Sequence, residues 1–337
     1  MKNLYLLLLA GITAVLLTGC AVGESGAEQE EDRLKIVCTI FPAYDWVKQI
    51  LGDEADGAEL TLLMKNGTDM HSYQPTVWDM TKIAKADLFI YVGGESDFWV
   101  GDALENTKNP ERKELNLMEL LENSVKEEEH VDGMKKSRGH EEHEEKEEAP
   151  EYDEHVWLSL RNAENVCSRI TDLLCELDDI HAAVYEENSV AYQTKLHALD
   201  EAYCETAASV SRPVLLFGDR FPFRYLTDDY DLTYYAAFAG CSAETEASFY
   251  TIAYLAEKAD ELSLPTVLTI DGSDQSVANT IAGSTKTRSQ KVLMLDSMQS
   301  VSERDIKSGE TYLAIMERNL SVLKEALKQS DNQGVEQ

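Results

Sequence analysis

Seven histidines are the side chains in this sequence best suited to chemistry near neutral pH. They fall into three settings. His181 and His197 lie in a stretch of helical periodicity and read as exposed or partly packed helix residues. His130, His140 and His143 lie in an acidic run, with Glu141 and Glu142 separating the last two. His71 and His155 lie at loop edges beside expected strands, where sites form in α/β sheets. The first belongs to the string DMHSYQP (69–75), the second to DEHVWLS (153–159). A lone loop histidine is ordinarily structural. Two of them in one lobe are a different matter, because zinc takes imidazole nitrogens together with carboxylate oxygens in a tetrahedral set.

Acidic residues dominate the charge. Asp and Glu number 63 against 30 Lys and Arg, for a net charge of -33. Such a field draws cations and argues against nucleic acid or an anionic membrane surface as partner. Enzyme signatures do not appear. The sequence has no HExxH, GxSxG, P-loop or dinucleotide fingerprint, and Gly93-Gly94-Glu95 reads only as a strand-end turn. Glu154 beside His155 is the one candidate general base for a zinc hydrolase, and a centre with four protein ligands would be closed to catalysis.

The elements that must position these residues follow from the hydrophobic pattern. The chain has 337 residues, 43% of them hydrophobic, enough for about two globular domains. Residues 4–17 form an apolar run of signal-peptide length after a basic start, too short to span a bilayer comfortably. Leu17-Thr18-Gly19-Cys20 resembles a bacterial lipobox, whose cysteine takes a lipid and becomes the new N-terminus. Residues 1–20 are then a lipoprotein signal peptide and 21–33 a flexible acidic tether. This predicts an extracytoplasmic body, anchored to the bacterial cell membrane through Cys20. Five cysteines remain of the six: Cys38, Cys167, Cys175, Cys204 and Cys241. An odd number leaves at least one unpaired, and Cys167 and Cys175 read as small apolar helix residues.

Short apolar runs at 34–41, 58–64 and 88–92 read as strands, with helices at 43–51 and 76–86 between them. Residues 125–154 lose apolar content and read as a mobile acidic loop. From 162 to about 209 the helical period runs nearly unbroken, with a possible joint at His181 and an apolar face of Leu173, Leu174, Leu177, Ile180 and Val184. Strands then return at 213–217, 233–238, 266–270 and 291–295, with helices at 223–229, 243–262 and 309–329. The expected fold is therefore α/β: two lobes with parallel-rich sheets flanked by helices, joined by a long connecting helix. The divisions are an N-terminal lobe 34–165, a connecting helix 166–210 and a C-terminal lobe 211–330.

Two of these strings resemble a known family, the cluster A-I substrate-binding proteins of zinc and manganese ABC importers. Gly67 followed by HSYQP (71–75), a helix and an Ala-Asp strand matches its first motif, with Gln74 in place of Glu. Asp153-Glu154-His155-Val156-Trp157-Leu158 matches its Asp-x-His-x-Trp-Leu pattern. The resemblance extends over nearly the whole mature body. It implies that His71 and His155 are metal ligands from the N-terminal lobe and that two further ligands come from the C-terminal lobe. Here the chain departs from the family. Where a His or Glu precedes Phe-x-Tyr, it reads FGDRFPFRY (217–225). One alignment puts Gly218 in the ligand slot and the other Asp219, whose alternative role is to pair with Arg220 or Arg224. Asp296 matches a carboxylate after the last strand, with a turn or cap role as its alternative. The resemblance implies zinc as the bound ion, with manganese as the alternative, a permease as partner and a monomer. His130, His140 and His143 would be accessory zinc ligands in the loop. A surface adhesin with a structural metal is the rival reading.

Overall fold

The computed structural model describes residues 33–328, apart from positions 66, 107, 135–150, 212 and 241–245. The first sheet comprises β1 (Lys35–Cys38), β2 (Glu59–Leu62), β3 (Leu88–Tyr91) and β4 (Lys113–Asn116). All pairings are parallel, in the order β2-β1-β3-β4. Ile36, Val37, Leu88, Phe89 and Ile90 are buried, as a parallel sheet covered on both faces requires. The covering helices start where the sequence supplies caps. Pro42 opens α1 (Phe41–Leu51), and a Thr76–Asp79 capping box opens α2 (Val77–Lys85). Two short helices follow, α3 (Val100–Glu105) and α4 (Leu117–Leu120).

The long helical stretch is divided. α5 (Leu160–Leu177) starts on a Ser159 cap, and α6 (Ala182–Ala208) follows a break at 178–181. The two run side by side and antiparallel. The Thr171 hydroxyl donates to Ser189 Oγ at 2.7 Å and Ser168 to Gln193 Oε1 at 3.3 Å. At the break, Asp178 accepts from Tyr185 Oη and contacts His181 Nδ1, both at 2.7 Å. The joint expected at His181 is thus the turn of a helical hairpin, and α6 is the long connecting helix expected between the lobes. That helix, with 27 residues at 1.5 Å each, reaches roughly 40 Å. The expected apolar face stops at the turn, since Ile180 is 84% and Val184 39% exposed. His197 is exposed, as the periodicity implied.

The second sheet repeats the first. β5 (Val214–Phe221), β6 (Thr233–Ala239), β7 (Thr266–Ile270) and β8 (Lys291–Leu295) pair in parallel in the order β6-β5-β7-β8. Around it lie α7 (Arg224–Asp229), α8 (Phe249–Glu261), α9 (Ser276–Ser284), α10 (Glu303–Lys307) and α11 (Tyr312–Ala326). One continuous apolar cluster takes in Phe89, Trp46, Trp157, Phe217 and Tyr312, residues drawn from both lobes. A smaller cluster, with Phe238, Leu255, Val267 and Ile281, lies beneath α8 and α9. Buried hydrogen bonds also bind the lobes together. Tyr312 N–H donates to Asp45 Oδ2 at 2.9 Å, Tyr312 Oη to the Trp157 carbonyl at 2.7 Å, and Trp157 Nε1 to the Ser297 carbonyl at 2.9 Å. Among the described residues Cys38, Cys167, Cys175 and Cys204 are free thiols.

Candidate metal centre

Both sheets present the carboxyl ends of their strands to loops, and His71 and Asp296 lie in those after β2 and β8. His71 follows β2 in a single 3-10 turn (Met70–Ser72), whose N-cap is Asp69. Asp69 Oδ1 accepts the His71 backbone N–H at 3.0 Å. His155 closes the acidic insertion and precedes another such turn (Val156–Leu158). The two imidazole rings lie 5.4 Å apart between centroids.

Each ring is anchored through Nδ1. His155 is fully buried, and its Nδ1 lies 3.0 Å from Asp153 Oδ1, which also accepts the His155 backbone N–H at 2.8 Å. His71 Nδ1 lies 2.7 Å from Ser96 Oγ and 3.7 Å from Glu154 Oε2. Glu154 is itself buried, and its Oε1 accepts the Ser96 backbone N–H at 2.8 Å. Gly94, at φ 83°, leaves the space that the Glu154 carboxylate occupies. Thus the neighbours Asp153 and Glu154 support both imidazoles, one directly and one beside Ser96. A carboxylate on Nδ1 fixes the tautomer that leaves Nε2 with a lone pair. Both Nε2 atoms are buried and have no hydrogen-bond partner. Burial, and then the neighbouring His155, pull His71 down to about 4, so its imidazole is neutral at physiological pH.

The C-terminal lobe is arranged differently. Asp219 lies inside β5, where the pairing with β6 shifts register between Phe217 and Arg220. Its Oδ1 accepts the Arg220 N–H at 2.9 Å and its Oδ2 the Thr269 hydroxyl at 2.6 Å. Gly218, the rival for this position, has no room for a side chain, because a Cβ there would collide with the backbone of Ala278 in α9. The expected alternative pairings of Asp219 do not form. Arg220 reaches across the lobes to Asp69 Oδ2 at 2.8 Å, and Arg224 Nη1 lies 3.3 Å from Glu129. Asp296 follows β8, and its Oδ1 accepts the Met298 N–H at 2.8 Å, the turn role foreseen for it. Burial, and then the charge of Asp271, push its carboxyl up to about 7. Asp271 in turn accepts from Ser297 N and Oγ, both at 2.6 Å.

The structure therefore brings His71 and His155 together. Among the described residues it gathers no group of three or more His, Cys, Asp or Glu into a ready metal cage. Four residues were not singled out from sequence: Ser96, Arg220 as a bridge to Asp69, Asp271, and Glu154 as a support for His71. The first has no signal beyond its place after a strand. His130 is described and exposed, whereas His140, His143 and Cys20 lie outside the described residues. The insertion expected to be a mobile loop over 125–154 has an ordered base. Glu127 bridges Tyr152 in antiparallel fashion, Glu128 N–H donates to the Glu151 carbonyl and Asp153 N–H to the Lys126 carbonyl, both at 2.9 Å.

Comparison with known proteins places this geometry. Residues 36–326 match the family described as zinc-uptake complex component A, periplasmic. The chain is 32% identical over 326 residues to the zinc-binding lipoprotein AdcA of Streptococcus pneumoniae, covering 96% of this chain and 61% of that one. It thus spans about three-fifths of the length of that relative. It is 29% identical over 323 residues to the high-affinity zinc uptake system protein ZnuA of Bacillus subtilis, covering 94% and 96%. The crystal structure of the Zn(II)-bound ZnuA-like domain of S. pneumoniae AdcA superposes with a TM-score of 0.67 at 29% identity, over 88% of this chain and all of that one. The metal-dependent lipoprotein YcdH of B. subtilis gives a TM-score of 0.69 at 26% identity, with the same coverage. With nearly all of its described residues inside the match, the chain belongs to the family of zinc-uptake complex component A proteins.

Proposed function

We propose that this protein captures a divalent transition metal, zinc, outside the cytoplasm and passes it to the permease of an ABC importer. The observation that carries the reading is the pair of buried, unpartnered Nε2 atoms on His71 and His155. Leaving a buried polar atom without a partner costs on the order of 1–3 kcal/mol, and a cation between the rings recovers it. Asp219 and Asp296 would complete the set from the C-terminal lobe. His plus carboxylate suits zinc, and for a given nitrogen-containing site zinc binds more tightly than manganese. Both named relatives are zinc proteins, which supports the same cargo here.

A closed four-ligand centre favours carriage over catalysis. The energy of transport would come from a separate ATPase. No helix among the described residues is long and apolar enough to cross a membrane. A lipid on Cys20 would hold the body at the surface, with 21–33 as tether and the protein acting as a monomer. A manganese carrier is the second reading, favoured by the two carboxylates in the C-terminal lobe. Competitive zinc and manganese calorimetry, run beside His71→Ala and Asp219→Ala, separates them. One-to-one zinc binding that both substitutions weaken is expected. Tighter manganese binding would assign the other cargo, and no binding of either would overturn the carrier reading.

A further inference from the structure

His155 lies on the segment 153–159, and both ends of that segment are held by α7 of the C-terminal lobe. At one end the Tyr225 phenol donates to the Asp153 carbonyl at 2.7 Å. At the other, Ser159 Oγ donates to Oδ2 of Asp229, the last residue of α7, at 2.6 Å. The same phenol accepts the Lys126 N–H at 3.2 Å, so it joins the two arms of the insertion where Asp153 N–H meets the Lys126 carbonyl. Lys126 Nζ also pairs with Asp228 of α7. Tyr225 and Asp153 are each 2% exposed, so no bulk water stands in for a bond lost here. The Asp153 carboxylate is confined as well. Its Oδ1 faces the His155 imidazole, and a Cβ on Gly240, which follows β6, would lie 3.2 Å from its Oδ2.

We propose that α7 positions His155 for metal binding, with Tyr225 as the positioning residue that acts through Asp153; the inference rests on the carrier reading above. An imidazole is aimed only as firmly as the group that holds its Nδ1. Here that group is Asp153, and Asp153 is fixed from the opposite lobe. The hold on the ion is thereby tied to the docking of α7. Drawing α7 away would loosen Asp153 and His155 together, so the effect belongs in the rate at which the metal leaves.

The test is a double-mutant cycle in the full chain, with zinc affinity read by calorimetry and zinc dissociation by a chelator chase. Tyr225→Phe removes one hydroxyl and keeps the ring. Affinity should fall about tenfold, mostly as faster dissociation. In an Asp153→Asn background the same change should cost less than about twofold, because the group it acts through has already been altered. Tyr185→Phe is the matched control: its phenol, also 2% exposed, donates to Asp178 at 2.7 Å at the turn of the hairpin. It should lower thermal stability and leave zinc affinity within about twofold. Asp229→Ala releases Ser159 at the other end of the segment and should weaken zinc binding as Tyr225→Phe does. Unchanged affinity in Tyr225→Phe, an equal loss in both Asp153 backgrounds, or the same loss in Tyr185→Phe would each overturn the proposal. If Tyr225→Phe does not fold, unchanged affinity in Asp229→Ala overturns it instead. A parent chain that binds no zinc would overturn the carrier reading, and the role of Tyr225 with it.

Discussion

The two halves of the candidate centre are prepared to different degrees. On the N-terminal side, His71 and His155 have their Nδ1 atoms held and their Nε2 atoms buried and unpartnered. On the C-terminal side, both carboxylates are already engaged. Asp219 accepts from Thr269 and from the Arg220 backbone, and Asp296 caps a turn with its carboxyl pushed up to about 7. One half is preorganised. The other would have to give up hydrogen bonds, or a proton, to bind an ion. The contrast teaches that the imidazoles would supply most of the affinity, while the carboxylates would set how binding responds to pH and to the identity of the metal.

Substitutions can break or sharpen that contrast. The largest effect is expected from His155→Ala, which would remove a fixed imidazole of the proposed centre. Zinc affinity by calorimetry should fall more than about 100-fold, beyond the range for supporting residues. Asp153→Asn keeps both imidazoles but loosens one. It should cost about 10- to 100-fold, with the fold intact by circular dichroism. Asp296 is expected to govern the pH response. Its carboxyl holds a proton below about pH 7, and a cation must displace it. Zinc affinity should then rise with pH, by up to about tenfold per unit below that value, and level off above it. Asp296→Asn should flatten this rise, as read by titrations between pH 5.5 and about 8. The smallest effect is expected at Arg220, a partly exposed cation bridging to Asp69. Arg220→Gln should strengthen zinc binding by about threefold at low ionic strength, and less as salt screens it.

How much of this was legible in the sequence depends on the range of the interaction. The strands around Ile36, Phe89 and Val267 stand out as short apolar runs, because a parallel sheet buries both of its faces. By contrast, β4 (KELN) buries only Leu115 and α9 (SVANTIAGS) has little apolar periodicity, so neither was anticipated. The helix break at 178–181 falls at the joint expected at His181, and Asp178 sets it by binding Tyr185 and His181 across the turn. His71 and His155 carried a signal because each lies in a recognisable string. The Arg220–Asp69 bridge carried none, since it joins residues 151 positions apart. Glu154 reads as a motif neighbour, and only the folded chain brings it to within 3.7 Å of His71.

The central claim is that a divalent cation sits between His71 and His155 and is completed by carboxylate from the other lobe. A zinc-soaked crystal, with an anomalous difference map at the zinc edge, tests it most directly. The account predicts one dominant peak about 2.0–2.1 Å from both Nε2 atoms and about 2.0–2.2 Å from an oxygen of Asp219 or Asp296. A dominant peak elsewhere, with both imidazole Nε2 atoms free of metal, would contradict it.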